Sequence, residues 1–270
     1  MSRLALSGLL WYERSVVDIL LLCTSAFIAG FIDSVAGGGG LVQVPALFVF
    51  LPTLPVPILF GTNKLASIAG TSIAATHYAR NIAVNWKATL PAVMAAFVFS
   101  FLGARVVTLI RPEVMRPLIL VLLIAIAIYT FKRKELGSLH APRLGVTSQT
   151  TFSLLTGTVI GFYDGFFGPG TGSFLIFIFV GIFGFSFLSA SASSKFVNVT
   201  TNLAAVLYFA ATDNILYRLA LPMAACNMLG SLVGSRLAVL KGSRFVRTFF
   251  LLVVSALIIR MAYGIFRAGF

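Results

Sequence analysis

Two aspartates and two lysines stand within long apolar stretches of this sequence, and their types suit them to bind ions. Asp33 is followed by four consecutive glycines, and Asp164 is followed by a second glycine-rich cluster. Lys64 and Lys195 come later, one after each cluster. A charged side chain in an apolar segment is costly unless it is paired or used. Each of the four therefore predicts either an ion pair or part of an ion-binding site.

The two glycine clusters predict breaks in membrane helices. Glycine has no Cβ atom, so a ligand can approach the backbone and successive N–H groups can form a concave anion site. A helix that begins at such a break also presents the positive end of its dipole. Close helix packing through small residues is the alternative interpretation. We expect the clusters to line a substrate site through Gly37, Gly38, Gly39, Gly40, Gly168, Gly170, Thr171 and Gly172.

A second polar interruption contains each lysine, within the sequences GTNK and ASSK. Polar residues recur three and seven positions after each lysine, which predicts one polar helical face. In one interpretation each lysine forms a structural pair with an aspartate of the same or the opposite copy, such as Asp33–Lys64 and Asp164–Lys195. In the other interpretation these residues neutralise and hydrogen-bond an oxyanion. Its ligands are then Thr62, Asn63, Lys64, Ser193, Ser194, Lys195 and Asn198.

The composition indicates an all-α, polytopic membrane protein. Of the 270 residues, 59% are hydrophobic and 10% are charged, and the mean hydropathy is +1.02. These charges are too few for the surface of a soluble protein, whereas lipid-facing helices need none. The net charge of +13 is spread over loops, which favours contact with the lipid bilayer over nucleic-acid binding.

The sequence contains no arrangement that predicts catalysis. A nucleophile–base pair, a metal-ligand cluster and a flanked phosphate-binding motif do not appear in it. We therefore expect no enzyme activity, no catalytic residues, no metal and no cofactor.

A constant offset of 131 residues aligns the first part of the chain with the second. It pairs Asp33 with Asp164 and Lys64 with Lys195, and it also aligns glycines, prolines and arginines. Such matches among residues with strict requirements predict an internal duplication. The predicted organisation is an N-terminal tail (residues 1–15), a first transmembrane repeat (16–132), a basic linker (133–147) and a second transmembrane repeat (148–270).

Each repeat is expected to hold about four spans plus a broken or re-entrant helix. The apolar segments of the first repeat are residues 16–36, 41–60, 65–78, 88–110 and 114–131, and the second of these contains several prolines. Proline interrupts a helix, so this segment is the one predicted to be broken. We expect a pseudo-twofold axis between the repeats, whereas the charge distribution leaves open whether they are inverted or parallel.

The same motifs resemble those of the sulfite exporter TauE/SafE family over nearly the whole chain. The resemblance rests on residues 30–40 (GFIDSVAGGGG), 61–64 (GTNK) and 161–172 (GFYDGFFGPGTG). It implies a multi-pass permease of the inner (plasma) membrane for small sulfur-containing anions such as sulfite, sulfoacetate or other organosulfonates, usually an exporter. The second repeat has Ser193 and Ser194 where the first has Thr62 and Asn63, so a ligand role transfers more directly to the first pair.

The expected function is secondary transport of a small anion, with Asp33 and Asp164 as a coupling or structural pair. An anion channel and a carrier of another small anion are alternatives. A carrier of a cation bound by the two aspartates is a further one. The anionic substrate and the lipid bilayer are the expected partners. A homodimer is compatible with the sequence, which does not specify the oligomeric state. The substrate, the direction of transport and the coupling ion are not specified by these motifs.

Overall fold

The described part of the chain, residues 16–110 and 145–267 of a computed structural model, is entirely helical. It forms helices and connecting turns without a strand, which confirms the all-α prediction for this part. The helices are α1 (Val16–Ala36), α2 (Gly40–Phe50), α3 (Val56–Asn81), α4 (Trp86–Leu109), α5 (Val146–Phe166), α6 (Thr171–Gly181), α7 (Phe187–Ala211) and α8 (Tyr217–Arg267). Helix α8 is kinked at Gly242, whose φ of 70° and ψ of −170° are not helical.

Three helices among the described residues are long and apolar enough to cross a membrane. They cover Val17–Ala36 in α1, Trp86–Leu109 in α4 and Tyr217–Val246 in α8. The expectation of a multi-pass membrane protein is therefore met. The long helices α3 and α7 carry the two lysines together with several threonines, serines and asparagines. The predicted tail and most of the predicted linker lie outside the described residues, as does the fifth apolar segment (114–131) of the first repeat.

The predicted breaks at the glycine clusters are confirmed. Helix α1 ends at Ala36, Gly37 adopts a φ of 77°, and α2 begins at Gly40. In the second break, between α5 and α6, Gly168 and Gly170 adopt φ angles of 94° and 84°. These left-handed conformations favour glycine, because a Cβ atom would strain the backbone. Both α2 and α6 have only 11 residues, about 17 Å of helix, too short to span a bilayer.

The polar segments that contain the lysines lie within helices, as the spacing of their polar residues predicted. Residues 61–64 lie inside the continuous helix α3, and residues 192–195 lie inside α7. The actual break after α2 is at residues 51–55, where Pro55 precedes the first turn of α3. Proline fits the first turn of a helix and weakens its interior, although α2, α4 and α8 each contain one, at Pro45, Pro91 and Pro222. Threonine and asparagine inside a helix keep the backbone hydrogen bonds. The polar side chains of these segments therefore mark a helix face.

The long helices pack into two bundles, each drawn from both parts of the chain. Helices α1 and α3 pack against α8 and form the first bundle, and α5 and α7 pack against α4 and form the second. Glycines allow close approach: a Cβ on Gly30 would lie 2.1 Å from the carbonyl oxygen of Asn227, and one on Gly165 would lie 1.9 Å from that of Ser100. Helices α3 and α7 also contact each other, so their lysines lie where the bundles meet.

Candidate functional site

The two helix breaks meet at the boundary between the bundles. A Cβ on Gly172 would lie 2.5 Å from Cα of Gly37, so neither position has room for a side chain. The backbone N–H of Ser173 donates to the Gly37 carbonyl at 3.0 Å, and its hydroxyl donates to the Ala36 carbonyl at 3.0 Å. These contacts hold the start of α6 against the end of α1.

Two ion pairs cross the boundary at the same place. Nζ of Lys64 lies 2.7 Å from Oδ2 of Asp164, and Nζ of Lys195 lies 3.0 Å from Oδ2 of Asp33. Each lysine thus pairs with the aspartate of the other part of the chain. Of the two pairings considered from sequence, the same-copy pairs Asp33–Lys64 and Asp164–Lys195 are wrong, because each lysine lies within ion-pair distance of the aspartate of the opposite copy. Each pair ties one bundle to the other.

The Lys64–Asp164 pair lies at a cavity. The other carboxylate oxygen of Asp164, Oδ1, accepts a hydrogen bond from the Thr171 hydroxyl at 2.6 Å. A Cβ on Gly168 would lie 3.0 Å from Nζ of Lys64, so glycine leaves room for this ammonium group. Both charged side chains are 4% exposed, and both line the cavity. A small ligand in the cavity can therefore reach the Lys64 ammonium group directly.

The Lys195–Asp33 pair has different surroundings. The Lys195 ammonium donates both to the main-chain carbonyl and to the carboxylate of Asp33. Thr71 adds a longer hydrogen bond to the same carboxylate, at 3.3 Å. The Lys195 side chain is fully buried and does not line the cavity, although Asp33 does. This lysine is therefore engaged by the protein itself.

The cavity between the breaks is small and polar. Its volume is about 30 Å³, which accommodates on the order of two water molecules. The first residues of α2 and α6 are part of its wall, so two helix N-termini and their partial positive charges lie there. The lining residues are Ala29, Asp33, Gly37, Gly39, Gly40, Asn63, Lys64, Ser67, Thr71, Asp164, Gly168, Thr171, Gly172, Asn198, Asn202 and Asn227.

Comparison with known proteins assigns the family. Residues 22–261 match the family model of the sulfite exporter TauE/SafE. The chain belongs to the TauE/SafE family. It is 38% identical over 243 residues to the probable membrane transporter protein ORF9 of a Sinorhizobium species, an alignment that covers 90% of this chain and 92% of that protein.

Two further relatives support this assignment. The probable membrane transporter protein of Haemophilus influenzae is 33% identical, over 92% of this chain and 96% of its own length. The probable membrane transporter protein YfcA of Escherichia coli K12 is 34% identical, over 88% of this chain and 87% of its own length. No solved structure matches the chain. The described helices therefore belong to a membrane transporter of the TauE/SafE type.

Most of the site residues predicted from the sequence line the cavity. Six of the predicted residues do not, and the structure engages several of these elsewhere. The hydroxyl of Thr62 accepts a hydrogen bond from the N–H of Leu216 at 3.1 Å, and that of Ser194 donates to the Ser191 carbonyl at 2.8 Å. The six predicted residues outside the lining are Gly38, Thr62, Gly170, Ser193, Ser194 and Lys195.

Asn227 of α8 lines the cavity and was not predicted. Its amide Nδ2 donates to Oε1 of Gln43 on α2 at 2.9 Å, so two buried amides meet beside the site. The repeat pairs Asn227 with Ala96, which is why the duplication did not point to it. The sequence signal that could have identified Asn227 is its position as a polar residue within an apolar span. Ser67, Thr71 and Asn202 also line the cavity, and they belong to the polar faces recognised in the sequence.

The acidic, histidine and cysteine side chains of the described residues can be compared with what a metal site needs. Within residues 16–110 and 145–267, no group of three or more histidine, cysteine or acidic side chains is placed to hold a metal ion. The two aspartates at the cavity are engaged by lysines. The arrangement therefore suits binding of a small anion through an ammonium group, hydroxyls, amides and helix N-termini.

Proposed function

We propose that this protein is a secondary transporter of small sulfur-containing anions, such as sulfite, sulfoacetate or other organosulfonates, across the inner membrane. Membership of the TauE/SafE family supports transport and this substrate class. The observation that carries the proposal is the position of Lys64: its ammonium group lines the polar cavity where two broken helices meet. An intramembrane cation beside broken helices can bind an anion when it exchanges its carboxylate partner, here Asp164, for that anion.

The chemistry around Lys64 suits a sulfite or sulfonate group. Such a group carries three oxygen acceptors and a negative charge, so it needs several donors as well as a cation. The ammonium group provides the charge, and the amide side chains of Asn63, Asn198 and Asn202 provide hydrogen-bond donors. The N-termini of α2 and α6 add partial positive charge.

Alternating access is proposed to arise from movement of the two bundles relative to each other. Helices α2 and α6 begin 131 positions apart, as do α3 and α7, which supports two homologous repeats related by a pseudo-twofold axis. The same offset relates the Lys64–Asp164 pair to the Lys195–Asp33 pair. Because both pairs join one bundle to the other, the boundary can open where a pair is exchanged for an anion.

A cation carrier is the second candidate, since both aspartates line the cavity. It requires a cation to displace the lysines from the carboxylates, so replacing an aspartate would abolish flux while replacing Lys64 would spare it. The anion carrier requires the opposite dependence on Lys64.

The test is uptake of labelled sulfite, sulfoacetate and taurine into vesicles that contain the purified protein. We expect saturable flux of at least one anion in the wild type, and flux at the level of empty vesicles in Lys64→Ala. Gly145→Ala is the matched control, because a Cβ there meets nothing within 4 Å. A size-exclusion profile in detergent verifies that each variant is folded.

The results separate the candidates. Flux that rises without saturation indicates a channel. Flux that survives Lys64→Ala and is lost on replacing Asp164 indicates the cation carrier. Flux equal to that of empty vesicles for every anion contradicts the proposed substrate class.

A further inference from the structure

We propose that transport is electroneutral: each monovalent anion crosses together with one proton, and Asp164 is the residue that carries this proton. The inference rests on the proposed transport of anions, and it names the coupling ion and the site of that ion. Two observations carry it, the charge balance at the cavity and the different surroundings of the two lysines.

The charged side chains at the boundary neutralise one another before any substrate arrives. Two lysines face two aspartates, in pairs of 2.7 and 3.0 Å, and the cavity wall has no further charged side chain among the described residues. An anion that enters would add an uncompensated charge to apolar surroundings, which is unfavourable. One proton that arrives with the anion restores neutrality.

The geometry selects Asp164 as the proton acceptor. Lys64, the cationic partner of this aspartate, lines the cavity, so its ammonium group can reorient towards a bound anion. The Asp164 carboxylate is then left without its ammonium partner. A buried carboxylate that loses its counter-charge becomes neutral by binding a proton. Asp33 keeps its cation, because Lys195 does not line the cavity and is also bound to the Asp33 carbonyl.

The groups around Asp164 are compatible with this role. Thr171 on α6 donates to Oδ1, so Oδ2 is the oxygen released by Lys64 and available to a proton. Tyr163, next to Asp164 on α5, donates its hydroxyl to the Pro169 carbonyl instead. Among the described residues, the other charged side chains on helices that pack against α3 or α5 do not compete with Asp164 for this role. Asp33 is paired with Lys195, and Asp18 lies 15 residues before Asp33 on α1. The charged side chains of α4 and α8 that the structure describes are exposed: Lys87, Arg105, Arg218, Arg236, Lys241 and Arg244.

The exchange balances in charge and in protons. In the empty site the Asp164 carboxylate faces the Lys64 ammonium group. In the loaded site the anion faces that ammonium group, and the proton occupies Oδ2 of Asp164. The net charge of the site is the same in both states, and release of the anion returns the proton to the same side of the membrane.

The wild-type test uses labelled methanesulfonate in proteoliposomes. This monoanion of a strong acid stays ionised across the working pH range, so a proton that moves with it travels on the protein. With the membrane potential clamped by potassium and valinomycin, we expect a gradient of one pH unit to drive about tenfold accumulation. A potassium diffusion potential without a pH gradient is expected to drive none. Accumulation that follows the potential and ignores the pH gradient would overturn the proposal.

Two matched variants locate the proton site. In Asp164→Asn we expect uptake driven by the pH gradient to fall at least tenfold more than exchange of labelled for unlabelled methanesulfonate, because exchange requires no proton release. In Asp33→Asn we expect uptake and exchange to fall by the same factor. Equal losses in Asp164→Asn, or a selective loss of uptake in Asp33→Asn, would contradict the assignment. If the wild type shows no exchange at all, the proposed function fails, and this inference with it.

Discussion

The two ion pairs differ in what surrounds their lysines, although the same residue types form both. Lys64 touches its aspartate through a single carboxylate oxygen, and it lines the cavity. Lys195 is bound to both the carboxylate and the carbonyl of Asp33, and no part of it lines the cavity. A buried ammonium with two protein acceptors is held in place, whereas one with a single acceptor beside a cavity can exchange it for a ligand. We infer that Lys64 binds the anion and that Lys195 keeps the bundles together.

The largest expected effect is loss of stability on removal of Lys195. Lys195→Met leaves the carboxylate and the carbonyl of Asp33 without their shared donor, and breaking a buried pair costs about 3–5 kcal/mol. Lys64→Met also breaks a buried pair, but it removes one contact of the ammonium group where Lys195→Met removes two. Asp164 retains the Thr171 hydroxyl at 2.6 Å, whereas Asp33 retains only the longer Thr71 contact at 3.3 Å. Thermal unfolding in detergent should therefore show a lower melting temperature for Lys195→Met than for Lys64→Met. The reverse order would show that the comparison assigns the two lysines wrongly.

An intermediate effect is expected where the two helix breaks touch. In Gly172→Ala the new Cβ would lie 2.5 Å from Cα of Gly37 and 2.9 Å from Nδ2 of Asn198, so the backbones must separate. Such overpacking costs about 1–3 kcal/mol and should lower both the melting temperature and the anion flux. Gly38→Ala is the matched control, because its new Cβ meets nothing closer than Ser173 Oγ at 3.5 Å. Equal behaviour of the two variants would show that the contact between the breaks is not important.

The smallest expected effect is on KM, when either of the two threonine hydroxyls that donate to the aspartates is removed. Thr171→Val removes a 2.6 Å hydrogen bond to Asp164, which leaves the carboxylate more dependent on Lys64 and less ready to release it to an anion. A hydrogen bond to a charged group contributes about 1.5 kcal/mol, so KM for the anion should rise by about tenfold. Thr71→Val removes a bond of 3.3 Å to Asp33, and its KM should change by less than about threefold. Kinetics of labelled sulfoacetate uptake would measure both values.

Much of the site was predictable from the sequence because its parts have strict local requirements. Gly37 and Gly168 adopt left-handed conformations, which a glycine-rich cluster predicts. The lysines and aspartates are conspicuous because charge is rare in apolar segments. The ends of α1 and α2 follow from the same residues, since glycine and proline interrupt a helix.

The crossed pairing and the position of Asn227 were not predictable in this way. Which aspartate forms the ion pair with Lys64 depends on how the helices pack in three dimensions. The spacing of residues along the chain does not specify this packing. Lys64 and Lys195 occupy equivalent positions in the repeat, so the sequence does not distinguish them. They differ in the residues around them in the folded protein, because Lys64 lines the cavity and Lys195 does not. The polar helix faces of α3 and α7, by contrast, were predictable, because residues three and seven positions after each lysine share a helix face with it.

The most direct test of the division between the two lysines is equilibrium binding of labelled sulfoacetate to two charge-matched double variants. Lys64→Met with Asp164→Asn deletes the pair whose lysine lines the cavity, and Lys195→Met with Asp33→Asn deletes the pair whose lysine is enclosed, so the net charge is unchanged in both. We expect the first variant to lose at least tenfold in affinity for sulfoacetate. We expect the affinity of the second variant, measured on its folded fraction, to stay within about threefold of that of the wild type. Equal losses in the two variants, or a greater loss in the second, would contradict the assignment of anion binding to Lys64.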